Sequence, residues 1–331
     1  MKNQPKIAVI GGGSWATAIV KMLSENLDNI GWYMRSVYVS EHIKLNKHNP
    51  NYLSSAELNP SQLDLTSNIN EIVSKYNILI FAIPSAFLSL ELKKLTQSLE
   101  NKIIFSAIKG IVPESGLIVG EYFHKKHNIP YKNIGVITGP CHAEEVAMER
   151  LSYLTVACQD EEKAALIGEV LTSRYIKIKI SDDIIGTEYA AMLKNIFAIA
   201  AGISHGLGYG DNFQSVLMSN AIREMKRFIK KVHKMKRNIN NSAYLGDLLV
   251  TGYSTFSRNR MFGNMIGKGY TVKSAMFEMS MVAEGYYATK SAYKIKKNNG
   301  VRTPIIDAVY AVLYQSKEAK QTFNELTNLI N

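Results

Sequence analysis

Short apolar runs rich in β-branched residues recur through the first half of the chain. Lys6-Ile7-Ala8-Val9-Ile10 comes first, and runs at 30–34, 78–83, 103–107 and 134–138 follow. Runs of this length without polar alternation suit strands buried on both faces, as in a parallel sheet. Helical stretches lie between them, among them 87–99 and 116–126. Strand and helix in alternation predict a doubly wound α/β sheet with its ligands at the carboxyl ends of the strands. Segments 154–158 and 175–178 read as closing strands. From about residue 184 the pattern turns helical, with helices expected over 188–203, 215–234, 275–296 and 304–314 and no strand of quality. The expected organisation is a doubly wound domain over residues 1–182 followed by an all-α domain over 183–331.

The first strand runs directly into Gly11-Gly12-Gly13-Ser14-Trp15-Ala16, and a helix follows. Gly11, Gly13 and Ala16 satisfy G-x-G-x-x-G/A in the strand–turn–helix setting that the motif requires. Gly11 permits the tight turn, Gly13 lets the backbone approach a pyrophosphate, and Ala16 allows close packing of helix on strand. The helix N-terminus offers N–H groups to the phosphates. This is the signature of a Rossmann-type dinucleotide site. Arg35 stands 24 residues after Gly11, past the second strand. NAD-specific sites often carry an acid there. An arginine cannot accept from a ribose hydroxyl but pairs with a 2′-phosphate. The reading therefore favours NADPH slightly and keeps NADH open.

Composition narrows the class. With 46% hydrophobic and 20% charged residues in 331, the chain is globular and has material for two cores. Its formal charge of +11 favours anions of any kind. No helix-turn-helix or RNA-binding signature accompanies the charge, so no nucleic-acid partner is expected. Eight of the fifteen residues 223–237 are Lys or Arg, while Ile222, Met225, Ile229, Val232 and Met235 keep helical spacing. That stretch reads as an amphipathic helix with a solvated basic face. Cys141 and Cys158 form neither a disulfide framework nor a CxxC pair, and the seven histidines make no ligand cluster, so no metal is expected. The N-terminus lacks a signal-peptide pattern, and no stretch approaches the roughly 18 apolar residues of a membrane span. A cytoplasmic protein without membrane insertion is expected.

Several polar residues stand out by their setting. Lys194 lies in Tyr189-Ala-Ala-Met-Leu-Lys194-Asn195-Ile-Phe, an otherwise apolar helix, where a lysine is costly unless it snorkels or has a task. Lys109 closes a sheet strand on the ligand side. Ser257-Arg258-Asn259 combines a planar fork of donors with neutral ones at an expected helix start, which suits a phosphate; helix capping by Ser257 is equally consistent. Asp247 reads as a helix cap or as a partner for a lysine. Cys141 reads as a small filler or as part of a ligand loop.

Taken in order, the motifs resemble the NAD(P)-dependent glycerol-3-phosphate dehydrogenases of the bacterial type. The marks are the glycine turn with Ser14 and Trp15, Asn49-Pro-Asn-Tyr-Leu53, Ala82-Ile-Pro-Ser85, Lys109-Gly-Ile, Gly139-Pro-Cys-His-Ala-Glu144, Lys194-Asn195, Asp211-Asn212, Leu245-Gly-Asp247, Ser257-Arg-Asn-Arg260 and Val282-Ala-Glu284-Gly285. The resemblance spans nearly the whole chain. It implies a Rossmann domain followed by a helical one. It also implies reversible reduction of dihydroxyacetone phosphate to sn-glycerol 3-phosphate for glycerophospholipid synthesis, and a homodimer. Lys194 corresponds to the family's catalytic lysine. Lys109, Gly139, Cys141, Asp247, Ser257, Arg258 and Asn259 correspond to substrate positions. Gly11, Gly13, Ser14, Trp15, Arg35, Lys109, Ala143, Arg258, Val282 and Glu284 are assigned to the cofactor. Three departures stand against the pattern: Ala16 for a third glycine, Cys141 for a serine, and a basic, glycine-poor stretch over 226–244. A dehydrogenase of similar architecture acting on a hydroxy acid or sugar acid, and a non-catalytic nucleotide-sensing or nucleic-acid-binding protein, are the competing readings.

Overall fold

The computed structural model describes residues 4–279 and 283–331. The chain divides into two compact units. One comprises the residues up to Ile108 together with Leu117–Ile184; the other comprises Lys109–Gly116 and Ile185–Asn331. The excursion Lys109–Gly116 thus belongs with the helical part, although it falls inside the segment that the pattern alone groups with the sheet.

The first unit is built on eight strands: β1 (Ile7–Ile10), β2 (Ile30–Tyr33), β3 (Leu63–Thr66), β4 (Ile78–Phe81), β5 (Ile103–Ser106), β6 (Ile134–Thr138), β7 (Ser152–Cys158) and β8 (Ile176–Ser181). Their order across the sheet is β8-β7-β6-β5-β4-β1-β2-β3. All neighbours run parallel except β6 and β7, which are antiparallel. The chain winds from β1 outward through β2 to β3, then returns to place β4 on the other side of β1. The order therefore reverses between β1 and β4, the place where such sheets bind ligands. Every residue of β1, β2 and β4 is buried, as their unbroken apolar runs require. β3 is the edge strand; its Leu-Asp-Leu-Thr alternates and is half-buried, so it carries no continuous apolar run.

In the second unit the helix Ile184–Gly206 is the core element. It is long and apolar enough to cross a membrane, but 94% of its most apolar window is buried in the protein, as in a soluble core helix. It crosses the helix Arg258–Gly267 backbone to backbone. A β-carbon at Gly202 would lie 2.1 Å from the Arg260 carbonyl oxygen, and one at Gly263 2.1 Å from that of Ile199. Gly206 and Gly267 repeat the contact one turn on. The helix Asp211–Val232 ends before residues 234–237, which follow as irregular chain. The expected helix over 275–296 is two helices, Val272–Glu278 and Glu284–Asn299. The helix Pro304–Tyr314 is found where the pattern places it.

Candidate active site

In the first unit, β1 ends at Ile10 and the chain turns at Gly11 with φ +135°. A β-carbon there would sit 2.4 Å from the Ala82 carbonyl oxygen, just past β4. Gly13 caps the helix Ser14–Ser24 with extended backbone, and a β-carbon on it would meet nothing within 4 Å. Clear space beside a helix N-terminus is what the approach of a pyrophosphate needs, so these residues fit a dinucleotide. Ala16 is fully buried, as close packing of helix on strand demands.

The turn is braced from behind. The Trp32 indole donates to the Gly11 carbonyl at 2.6 Å. Asn49, fully buried, donates to the Gly12 carbonyl at 3.2 Å and to the Thr17 hydroxyl at 2.9 Å. Thr17 in turn donates to the Gly13 carbonyl at 3.0 Å. The carbonyls of Gly11, Gly12 and Gly13 are thereby held in place. Pattern reading takes Asn49 only as part of a motif; its bracing role needs the contact to be seen. Replacing Gly11 with Ala is expected to cost on the order of 3 kcal/mol through backbone strain and overlap with Ala82. Chemical denaturation measures it; a loss under about 1 kcal/mol would show that the turn relaxes.

The other expected positions of this unit divide by exposure. Arg35 is exposed just beyond β2. Ser14 is buried and Trp15 half-buried in the first turn of the helix. Gly139 follows β6 with φ +118°, where a β-carbon would press on the Tyr153 carbonyl. Cys141 and Ala143 pack into the apolar core of the unit.

The second unit gathers the charged residues. Lys194 is 5% exposed, in mid-helix among fully buried Met192, Leu193, Ile196 and Phe197. Its Nζ lies 2.5 Å from Asp247 Oδ1. Lys109 Nζ lies 3.6 Å from Oδ2 of the same carboxylate. Asp247 is itself 1% exposed, and its Oδ2 accepts no hydrogen bond. It follows the π-helical turn Ser242–Gly246 and opens the helix Asp247–Tyr253, but its side chain turns to the lysines and does not cap that helix. Two ammonium groups thus share one buried carboxylate. Burial lowers the Lys194 pKa most, and Lys109 lowers it further; Asp247 opposes both, and the result is about 7.

A chain of amides ties this cluster to its surroundings. Asn195 donates to the Lys109 carbonyl at 2.7 Å, Asn259 donates to the Asn195 side-chain oxygen at 3.0 Å, and the Gly285 N–H donates to the Asn259 oxygen at 2.9 Å. Asn259 is therefore held by both ends of its amide. Ser257 caps the helix Arg258–Gly267, its hydroxyl accepting from the Arg260 N–H at 3.3 Å. Arg258 is half-buried in the first turn of that helix. Glu284 opens the helix Glu284–Asn299. Val282 lies outside the described residues. Among the described residues no group of three or more His, Cys, Asp or Glu side chains is placed to hold a metal.

Two family models cover most of the chain. That of the NAD-dependent glycerol-3-phosphate dehydrogenase N-terminus matches residues 6–164, and that of the C-terminus matches residues 183–324. The chain belongs to the NAD-dependent glycerol-3-phosphate dehydrogenase family. Glycerol-3-phosphate dehydrogenase [NAD(P)+] of an Exiguobacterium species is 36% identical to it over 97% of this chain and 94% of its own length. The enzyme of the same name from Macrococcus caseolyticus is 33% identical over 98% of both chains. The crystal structure of glycerol-3-phosphate dehydrogenase from Coxiella burnetii superposes with a TM-score of 0.89 at 25% identity, covering 98% of this chain and 99% of that one. A glycerol-3-phosphate dehydrogenase must bind a dinucleotide, stabilise an alkoxide and hold a phosphate. The glycine turn, the lysine–aspartate cluster and the Ser257–Asn259 helix start have the matching chemistry.

Proposed function

We propose that this chain catalyses the reversible reduction of dihydroxyacetone phosphate to sn-glycerol 3-phosphate. The observation that carries the reading is a buried lysine with a near-neutral pKa, paired with a buried aspartate and flanked by a second lysine. A bound NADH or NADPH supplies hydride to the C2 carbonyl. The Lys194 ammonium stabilises the oxygen as it gains charge, then donates its proton. Asp247 orients Lys194 through Oδ1, while the Oδ2 that accepts no hydrogen bond suits a substrate hydroxyl. Lys109 adds positive charge beside the developing alkoxide and contacts the cofactor. Ser257, Arg258 and Asn259 form the phosphate end, with Arg258 supplying the charged fork and Asn259 holding the helix in place. Gly139 and Cys141 belong to the substrate loop. Gly11, Gly13, Ser14, Trp15, Arg35, Ala143, Val282 and Glu284 complete the cofactor contacts.

The test is spectrophotometric: oxidation of the reduced nicotinamide by purified protein should depend on dihydroxyacetone phosphate. Cofactor binding without ketone-dependent oxidation would overturn the reading and leave the hydroxy-acid alternative. Run with both cofactors, the same assay tests Arg35. Arg35→Ala is expected to move the kcat/KM ratio of NADPH to NADH toward NADH by about tenfold, the worth of one charge-assisted hydrogen bond. An unchanged ratio would leave Arg35 as a solvated surface residue. The product is the backbone of glycerophospholipids, and supply of their synthesis by a cytoplasmic homodimer completes the proposal.

A further inference from the structure

The positive charge of this chain is concentrated in one place. Residues 212–246 hold eight Lys or Arg and a single acid, Glu224, which accounts for seven of the formal +11. That acid does not dilute the patch. Glu224 is fully buried, and its two oxygens accept from the Ile305 and Ile306 N–H groups at 3.0 and 2.9 Å, capping the helix Pro304–Tyr314 from inside the unit. The helix Asp211–Val232 buries Leu217, Ala221, Met225, Phe228 and Ile229 and turns Arg223, Lys226, Arg227, Lys230 and Lys231 outward; Lys234 and Lys236 continue the exposed row. Among the described residues Lys226, Lys230, Lys231, Lys234 and Lys236 have no carboxylate partner.

The kind of cation identifies the kind of partner. The arginines of the patch are engaged within the chain: Arg223 donates to Asn331, Arg227 to the Arg302 carbonyl, and Arg237 to the His233 carbonyl. Each thereby commits part of its planar fork, which suits specific reading of phosphate or base edges, to the chain itself. What the exposed row offers without a carboxylate partner is mainly its five lysines, point charges on flexible stems, beside the exposed Arg223 and Arg227. The aromatic residues of the segment offer no exposed stacking platform for bases: Phe228 and Tyr244 are buried, and Phe213 packs against Tyr209 in a tilted pair at 4.6 Å. A helix of 22 residues, about 33 Å long, presents most of this row. Diffuse, sequence-blind attraction along a line is the way polybasic segments meet a charged membrane surface. We propose that this face docks on an anionic lipid surface, without insertion, so that the enzyme works at the membrane–water boundary. Sequence pattern alone reads the same residues as a solvated face; the inward turn of Glu224 and the engagement of the arginines are what the structure adds.

The full chain would be sedimented with vesicles of phosphatidylcholine, and with vesicles of phosphatidylcholine mixed with phosphatidylglycerol, at low and at high salt. Binding is expected only to the mixed vesicles, and should weaken as salt screens the charges. The quadruple variant Lys226→Glu, Lys230→Glu, Lys231→Glu, Lys234→Glu should bind them at least about a hundredfold more weakly, while the matching quadruple Lys→Arg variant binds like the parent. A cooperative melt of each variant checks its fold. The inference fails if the parent does not sediment with anionic vesicles, if the Glu variant binds as well as the parent, or if a short RNA duplex displaces the protein from vesicles at equal phosphate concentration. None of these readouts depends on dihydroxyacetone phosphate, so the proposed reaction and the docking face stand or fall separately.

Discussion

Lys194→Ala is expected to lower kcat for ketone reduction by roughly three orders of magnitude. The alanine removes both the charge that stabilises the developing alkoxide and the proton that quenches it. Dinucleotide affinity should be unchanged, because Lys194 is not among the proposed cofactor contacts. The fold should survive as well, since Lys109 at 3.6 Å leaves Asp247 with a cationic neighbour. Steady-state kinetics and cofactor fluorescence measure the two quantities; turnover within tenfold of the parent would remove Lys194 from the mechanism. The pKa near 7 sets the pH behaviour of the parent enzyme. Reduction needs the protonated amine, so its rate should fall as pH rises through about 7. Oxidation of glycerol 3-phosphate needs the neutral amine, so its rate should rise over the same range.

Asp247→Asn should produce the largest loss of stability, about 3–5 kcal/mol, as expected when one partner of a buried ion pair is removed. Lys194 and Lys109 would then lack their shared carboxylate, and Lys194 could stay charged only at a cost. Asp247 is the influence that raises the Lys194 pKa, both as a charge and as a hydrogen-bond acceptor. Its loss should push that pKa further down, and the alkaline limb of the reduction profile should move to lower pH. Denaturant titration gives the first quantity and the pH–rate profile the second. A variant that kept its stability and its profile would show that the carboxylate neither pairs with Lys194 nor tunes it.

Legibility in the sequence followed physical signal strength. β1, β4 and β6 are buried on both faces, so their Ile-rich runs without charged residues announce them. β3 escaped because an edge strand needs only one apolar face, and Leu63-Asp64-Leu65-Thr66 shows two apolar residues. The glycine turn was readable because Gly11 answers to a backbone angle that few other residues adopt. Its brace was not, because Asn49 reaches the turn from more than thirty residues away, and nothing local marks a side chain that points back. Lys194 was conspicuous as a charge in an apolar helix. Asp247 was ambiguous, since an acid before a helix caps far more often than it pairs; only the fold brings it to a lysine 53 residues earlier. Ser257 shows that capping and ligand chemistry share a residue type, so pattern could not separate them. The assignment of Lys109–Gly116 to the helical unit left no compositional trace.

The glycine-lined crossing of the Ile184–Gly206 and Arg258–Gly267 helices acts as a fixed gauge. One helix carries Lys194, the proposed proton donor, and the other begins at the proposed phosphate end, and main chain rests on main chain where they meet. The separation of the two chemical functions is then set by atoms common to every residue. Drift in side-chain size elsewhere along either helix leaves that spacing unaltered, whereas a single methyl group at Gly202 or Gly263 would pry it open. Substrate length, on this geometry, is measured by the backbone.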